Sequence, residues 1–444
     1  MQTAETQLPD AKWLKTFRRQ ILKWYEKHAR VLPWRGTGCC AGGTACCAGG
    51  TVDPYRVWVS EIMLQQTTTA AVEGYYHRFL DRFPNVRILA DASDSEVLRY
   101  WEGLGYYRRA TQLHRASKMI VSEYGGAFPN TFEEVLSLPG IGRYTAGAIC
   151  SIAYHQRTPI LEANTIRLHA RLLAYPDDPA KSAGSKLLWQ MAERVLPPVS
   201  HPDRTNGSRE RSGTPRSDRI IPRSIRSLRY DPVTALRSVP GYHWNTTTGC
   251  SSPGQFNQAL MDLGSMVCTP KSPDCANCPV AALCRCAEKG LQHVIPVLKK
   301  EKNIEERTEV ALVIKKGEKY LMMRYPQDVR WAGLWDFPRY ELNSDVARHD
   351  IEEYCHFRKN IQRLTGYHVV LHDQVGEFRH VVTRYKITLK VFRAQTVGRK
   401  ICEEKYQTEW VPKHALADLA LSTTGRKIVE GIIKFSSGVF SSPG

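Results

Sequence analysis

Four cysteines past the middle of the chain, Cys268, Cys275, Cys278 and Cys284, are separated by six, two and five residues. That spacing lets all four thiolates surround one centre. Four thiolates suit zinc or an iron–sulfur cluster, and spacing alone does not choose between them. Cys286, just beyond, is read as lying outside the ligand set. A second residue able to do chemistry is Glu61, a carboxyl within the apolar run Val57-Trp58-Val59-Ser60-Glu61-Ile62-Met63-Leu64. On such a helix desolvation raises the carboxyl pKa and keeps the proton on, the state a general acid requires. The third candidate is Leu138-Pro139-Gly140-Ile141-Gly142-Arg143, which reads as a tight hairpin between two helices. Gly140 and Gly142 let backbone N–H groups approach an anion, and the following helix N-terminus, where Arg143 stands, adds partial positive charge. A hairpin of this kind grips a DNA phosphate without reading sequence.

Helical periodicity surrounds all three. Residues 12–29 set Trp13, Leu14, Phe17, Ile21, Leu22 and Tyr25 on one apolar face. The stretch DPYRVWVSEIMLQQT from Asp53 predicts the helix that carries Glu61. Helices are expected over 70–82, 94–101, near 111–124 and over 131–137, with a turn at Gly103-Leu104-Gly105-Tyr106-Tyr107. Apolar spacing resumes from Thr145, and a further helix from Gly254 runs into the cysteines. No strand signal precedes residue 300, so the first part is all-α. Residues 287–307 read as a linker rich in Lys and Glu. Beyond it, period-two runs at 309–314, 320–323 and 385–392 mix with helical stretches near 349–365 and 424–434, predicting a separate α+β domain.

Composition sets the frame. A chain of 444 residues has room for two or three domains, and 42% apolar residues suffice for real cores. Thirteen cysteines with four so grouped indicate a reducing compartment and a metal site rather than a disulfide scaffold. No eighteen-residue apolar run and no charged-then-apolar start are present, so a soluble, cytoplasmic or nucleoid protein with no membrane partner is expected. The net charge of +18 favours a polyanion, nucleic acid before membrane. Two stretches break the pattern. Residues 36–51 use only Gly, Ala, Cys and Thr, and their composition, which matches the four nucleotide letters, marks a disordered or artefactual insert. Residues 198–250 hold nine arginines, no lysine and four acids, and read as a second such insert. The second stretch contributes +5, so +13 remains without it and the expectation of a polyanionic partner stands.

Taken together, the hairpin, DPYRVWVSEIMLQQT, WEGLGYYRRA, FNQALMDLG and the cysteine spacing resemble the MutY adenine DNA glycosylases of the helix-hairpin-helix superfamily. The resemblance spans roughly residues 13–196 and 252–435. It implies an all-α helix-hairpin-helix glycosylase domain (12–286) with a [4Fe–4S] cluster on Cys268, Cys275, Cys278 and Cys284. It also implies a linker (287–307) and an α+β Nudix-like lesion-recognition domain (308–440). The implied partner is double-stranded DNA holding adenine opposite 8-oxoguanine or guanine, bound by a monomer.

Cleaving a purine N-glycosidic bond needs a proton for the departing base and negative charge beside an oxocarbenium-like sugar. The target base must also leave the stack. By resemblance Glu61 is the acid. The family's second carboxylate is an aspartate followed by Gly and Asn; here the chain reads Glu162-Ala163-Asn164, one methylene longer. Glu162 is assigned to charge stabilisation, with Asn164 as its hydrogen-bond partner. Tyr144 stands where bifunctional relatives carry a nucleophilic lysine, so lyase chemistry is not expected and its hydroxyl is assigned to orienting the carboxylates. Arg35 is expected to contact the adenine pocket or the DNA backbone. Gln65, Gln66 and Tyr106 match residues at the duplex, the last two as wedges near 8-oxoguanine. Trp331 to Pro338 resembles the lesion-recognition domain. There the family's Phe-Ser-His loop falls at Val382-Thr383-Arg384, with Thr383 keeping a hydroxyl for a base edge. Residues 352–366, EEYCHFRKNIQRLTG, lack the clustered glutamates of a catalytic Nudix signature, so pyrophosphohydrolase activity is not expected. Two other readings remain: an endonuclease III-like pyrimidine glycosylase with lyase activity, and a lesion-binding protein without turnover.

Overall fold

The computed structural model describes residues 8–35, 52–198, 252–297, 304–326, 329, 331–342, 351–382, 384–400 and 405–434. Residues 36–51, all of 198–250 except Pro198, and Thr383 therefore lie outside the described residues.

The helical part forms around two cores. The first gathers α2 (Pro54–Leu64), α3 (Thr69–Arg82), α4 (Val86–Asp91), α5 (Asp94–Trp101), α6 (Arg108–Glu123), α7 (Phe132–Ser137) and α8 (Arg143–Tyr154). The second gathers α1 (Ala11–His28), α9 (Ala163–Leu173), α10 (Ser182–Val195), α11 (Pro253–Met266) and α12 (Arg285–Lys289). Local chemistry fixes the starts. Asp10 caps α1 through Trp13 N–H, while Asp53 caps α2 ahead of a proline in its first turn. Amphipathic α1 buries Leu14, Phe17, Ile21, Trp24 and Tyr25 on one face. By contrast α2 is apolar nearly all round and buries every residue from Val57 to Met63, packed by α3, α6 and α8. Each such large apolar side chain contributes roughly 1.5–3 kcal/mol on burial. The position of Glu61 is thus dictated by its apolar neighbours, which carry it into the interior.

The C-terminal part is a mixed sheet of β1 (Glu305–Lys316), β2 (Lys319–Arg324), β3 (Trp335–Asp336), β4 (Arg339–Leu342), β5 (His368–Val382), β6 (Tyr385–Val397) and β7 (Gln407–Pro412). The main path runs β3-β2-β1-β6-β5, with β4 on β1 and β7 on β2; the β1–β6 pair is parallel. Two helices cover its faces, α13 (Ile351–Thr365) and α14 (Thr423–Lys434). Strand alternation divides the work. Val310, Leu312 and Ile314 of β1 face the core with Ile361 of α13, and Ala311 and Val313 face the core with Ile428, Val429 and Ile432 of α14.

One expectation needs correction, and two elements were not read from the sequence. The linker is shorter than 287–307, because α12 runs to Lys289, Ile295 is buried in the second helical core, and β1 already starts at Glu305. The short α4 lay unread between two longer helices; Asn85 starts it by capping Arg87 and Ile88 N–H. The longest strand, β5, lacked a clean period-two signal because a bulge between Leu371 and Gly376 shifts its register.

Candidate active site

The two helical cores meet in a cleft. A cavity of about 160 Å³ opens there, lined by Val57, Ser60, Glu61 and Ile152 from one side and Glu162, Asn164 and Met261 from the other, with Arg35 at its edge. Glu61 is 5% exposed, and its Oε2 accepts a 2.7 Å hydrogen bond from the Tyr144 hydroxyl. That hydroxyl also stands 3.5 Å from Met261 Sδ. Glu162 is the N-cap of α9. Its Oε2 accepts from Asn164 N–H at 2.8 Å and from Asn164 Nδ2 at 3.2 Å, and its Oε1 accepts from Thr165 N–H at 3.0 Å. Glutamate is an unusual cap, since Ser, Thr, Asp and Asn reach these donors with a shorter side chain. Here it reaches them with both oxygens.

These surroundings treat the two carboxyls differently. Burial pushes Glu61 up to about 7; the nearby Glu162 charge adds to the rise, while Tyr144 and Arg35 oppose it. Burial also raises Glu162, and it stays above its ordinary value although the backbone donors of Asn164 and Thr165, the Arg167 charge and the Asn164 side chain oppose the rise. One carboxyl is thereby set to hold a proton near neutrality and the other is supplied with donors for its ionised form. Both carboxyls are raised by burial, and what distinguishes them is the set of N–H donors that favours the ionised form of Glu162 alone. The Tyr144 hydroxyl is held well above its ordinary pKa by burial and both carboxyls, so it remains a donor.

Supporting residues extend beyond those read from sequence. Arg35 lines the cavity but is not free in it: its Nη1 and Nη2 grip Asp262 at 2.7 and 3.0 Å. Arg30 holds the same carboxylate through Nε at 2.7 Å. Burial works against charge on Arg35, and Asp262, Tyr25 and Glu61 together more than offset it. Asp262 and Met261 both sit in FNQALMDLG, a run whose apolar spacing spoke only of a helix. Arg167 is a second omission. It donates to Asn164 Oδ1 at 2.9 Å, to the Gly264 carbonyl at 2.6 Å and to the Cys268 carbonyl at 2.7 Å. A buried arginine on an amphipathic helix looks like a surface charge until its partners are known.

Of the described residues assigned to the duplex and the hairpin, Gln66, Tyr106, Gly140, Gly142 and Arg143 are exposed, and one residue is an exception. Gln66 and Tyr106 are exposed and share a rare feature, left-handed backbone at φ +58° and +48°. Such conformations in bulky residues cost free energy and concentrate where a structure presents a side chain for use. Arg109, absent from the sequence reading, ties their two loops together. Its guanidinium donates to the carbonyls of Ile62, Met63 and Gln65 on one side and of Leu104 and Gly105 on the other. The exception is Gln65, whose amide turns inward to Thr145 Oγ1 at 3.2 Å. In the hairpin, Gly140 has φ +78° and Gly142 is the N-cap of α8, where no side chain caps the helix. Arg143 is exposed and stacks its guanidinium 3.9 Å over the Trp189 ring. Thr383 lies outside the described residues, between β5 and β6.

Cys268, Cys275, Cys278 and Cys284 line one small pocket beside α9, and all four are free thiols. Arg171 donates to Cys268 Sγ at 3.3 Å. Burial pushes Cys278 up to about 12 and raises Cys275 and Cys284, so a bound cation must drive their ionisation. Among the described residues no three His, Cys, Asp or Glu side chains converge tightly enough for a bare metal ion. Cys286 is wholly buried in the second core and does not line the pocket the four share. No helix of the described residues is long and apolar enough to cross a membrane.

Comparison with known proteins accords with this architecture. Residues 59–194 match the family model of the HhH-GPD superfamily base excision DNA repair proteins, and residues 309–431 match the NUDIX domain. The adenine DNA glycosylase of Rattus norvegicus is 29% identical over 460 residues, covering 93% of this chain and 77% of the relative. That of Homo sapiens is 28% identical over 462 residues, covering 93% and 73%. That of Buchnera aphidicola subsp. Baizongia pistaciae is 27% identical over 425 residues, covering 95% and 98%.

Proposed function

This chain joins an HhH-GPD base excision repair domain to a Nudix domain and is homologous to adenine DNA glycosylases along 93% of its length; on that premise we propose that it is a monofunctional glycosylase, acting as a monomer, that excises adenine opposite 8-oxoguanine or guanine in DNA. The single observation that carries the reading is one cavity shared by two carboxyls, with Glu61 raised to about 7 and Glu162 held by three N–H donors.

The reaction follows from that pair. Adenine flips from the duplex into the cleft. Glu61 gives its proton to a ring nitrogen of the base, and the bond between sugar C1′ and the base breaks with its electron pair leaving on adenine. Positive charge develops on the sugar opposite the Glu162 carboxylate, which Asn164 and Thr165 hold in place. Water adds at C1′, Glu61 takes up the released proton, and an abasic site remains. Tyr144 donates to Glu61 and cannot form a Schiff base, so the strand is left uncut. Gln66 and Tyr106 fill the gap left by the flipped base, and Gly140, Gly142 and Arg143 hold phosphate. Cys268, Cys275, Cys278 and Cys284 would hold a [4Fe–4S] cluster, which would supply a rigid cross-link at the end of the helical domain when bound. Arg171, donating to Cys268 Sγ, suits the charge of such a group. Thr383 is assigned to the edge of 8-oxoguanine.

The test is a substrate panel with borohydride. Duplexes with adenine opposite 8-oxoguanine or guanine should give abasic product and no trapped adduct. Cleavage of an oxidised pyrimidine with a trapped adduct would replace this reading with the lyase one, and tight binding with no abasic product would replace it with the non-catalytic one.

A further inference from the structure

The loop that carries Tyr106 is held from the C-terminal domain as well as from its own. Glu102 ends α5 and directly precedes Gly103-Leu104-Gly105-Tyr106-Tyr107. Its carboxylate pairs with Arg426 of α14 through two contacts, Nε to Oε1 at 2.6 Å and Nη2 to Oε2 at 2.8 Å. The pair is largely shielded, with side chains 16% exposed for Arg426 and 8% for Glu102. Arg426 is itself anchored before it reaches across, donating to the carbonyls of Ala417 at 2.9 Å and Leu419 at 2.6 Å. Leu421 N–H adds a third contact to Glu102 at 3.4 Å. The Tyr107 hydroxyl accepts from Gly103 N–H at 3.3 Å and bonds the Thr423 side chain at the start of α14. Leu334 and Ala420 of the C-terminal domain are buried in one core with Trp101, Leu104 and Tyr107.

A tyrosine held at φ +48° and 52% exposed does not keep that backbone by itself; its surroundings must impose it. The residues on either side of it, Glu102 to Leu104 and Tyr107, are the ones the C-terminal domain grips. We infer that the Arg426–Glu102 pair is a positioning contact for DNA binding: through it the C-terminal domain fixes the 103–107 loop so that Tyr106 is presented to the duplex. The bidentate geometry fixes orientation as well as distance. Glu102 also accepts from Arg99 Nη1 at 3.4 Å, so its carboxylate is held from its own domain as well as from the C-terminal one. This role rests on reading Tyr106 as the wedge, and it gives the C-terminal domain a task independent of any contact with the damaged base.

The experiment uses the full chain and a duplex with a non-cleavable 2′-fluorinated adenosine opposite 8-oxoguanine. Dissociation constants are measured for Arg426→Leu, Glu102→Leu, Tyr106→Ala and each latch variant combined with Tyr106→Ala. A loss of about tenfold is expected for each single variant, equal from the two sides of the pair. The combined variants should bind no worse than Tyr106→Ala alone, since acting through one residue makes effects non-additive. Single-turnover excision at saturating duplex should stay within about twofold of wild type for Arg426→Leu, a split that general loss of structure does not produce. Arg426→Lys, which keeps the charge and loses the fork, should fall between wild type and Arg426→Leu. Additive losses in the combined variants, or wild-type binding by Arg426→Leu and Glu102→Leu where Tyr106→Ala binds poorly, would overturn the inference alone. Wild-type binding by Tyr106→Ala would overturn the wedge reading and this inference with it.

Discussion

At the scale of single residues the account turns on two carboxyls with opposite tasks. Glu61 bears a stability cost as well as a role. Its folded pKa of about 7 lies above the ordinary value of 4.5. Below that ordinary value both folded and unfolded chains keep the proton and nothing is lost. As pH rises toward the folded value the unfolded chain releases its proton first, so stability falls and the loss is complete once pH passes about 7. Glu61→Gln, which cannot ionise, should therefore be more stable than wild type at mildly alkaline pH, by up to ~3 kcal/mol, and not at low pH. Denaturant melts at the two pH values check this, and an advantage at low pH instead would contradict the burial. Glu162 permits a matched pair of variants. Glu162→Asp should keep the α9 cap and most activity, because an aspartate reaches the same N–H donors; Glu162→Gln keeps the shape, loses the charge, and should slow single-turnover excision by ~10²–10³. The burial of Glu61 was legible because it stands in a run of apolar residues on one helix. Arg35 was legible as pocket-lining but not as the partner of Asp262, which lies 227 positions away along the chain.

Elements place these residues, and glycines decide how closely the elements approach. Gly140 turns α7 into α8 at φ +78°, and a Cβ there would stand 2.6 Å from Gln112 Cβ. Gly140→Ala should cost about 1–3 kcal/mol in stability and weaken duplex binding, measured by thermal melts and anisotropy, while excision at saturating duplex is preserved. Loss of the saturating rate instead would move the hairpin from a phosphate grip into the chemistry. The helices themselves were largely readable, since caps and 3.6-residue apolar spacing agree in α1, α5 and α7. The strands were half readable: β1 alternates cleanly between two cores, whereas the bulged β5 hides its alternation. What periodicity cannot reveal is pairing between distant elements, and the Arg109 tie and the Glu102–Arg426 pair are both of that kind.

For the whole molecule, the net charge of +18 sets how DNA is approached. Non-specific duplex affinity should fall by one to several powers of ten as salt rises from ~50 to ~200 mM, since each neutralised phosphate releases a counterion. A flat salt response in an anisotropy titration would show that the positive charge is not what meets DNA. The domain plan was visible as a change of period, 3.6 before residue 300 and two after it, but the seam was not. Ile295 is buried with the helical core, and Leu334 and Ala420 join the other helical core, so the two parts are packed rather than strung on a linker. The central claim remains that Glu61 delivers a proton to adenine while Glu162 faces the sugar. The most direct measurement is the single-turnover rate of adenine excision opposite 8-oxoguanine as pH is raised from mildly acid to mildly alkaline. The account predicts a rate that falls above about pH 7 with loss of one proton, and no measurable excision by Glu61→Gln. A rate indifferent to pH through that range, or an active Glu61→Gln, would contradict it.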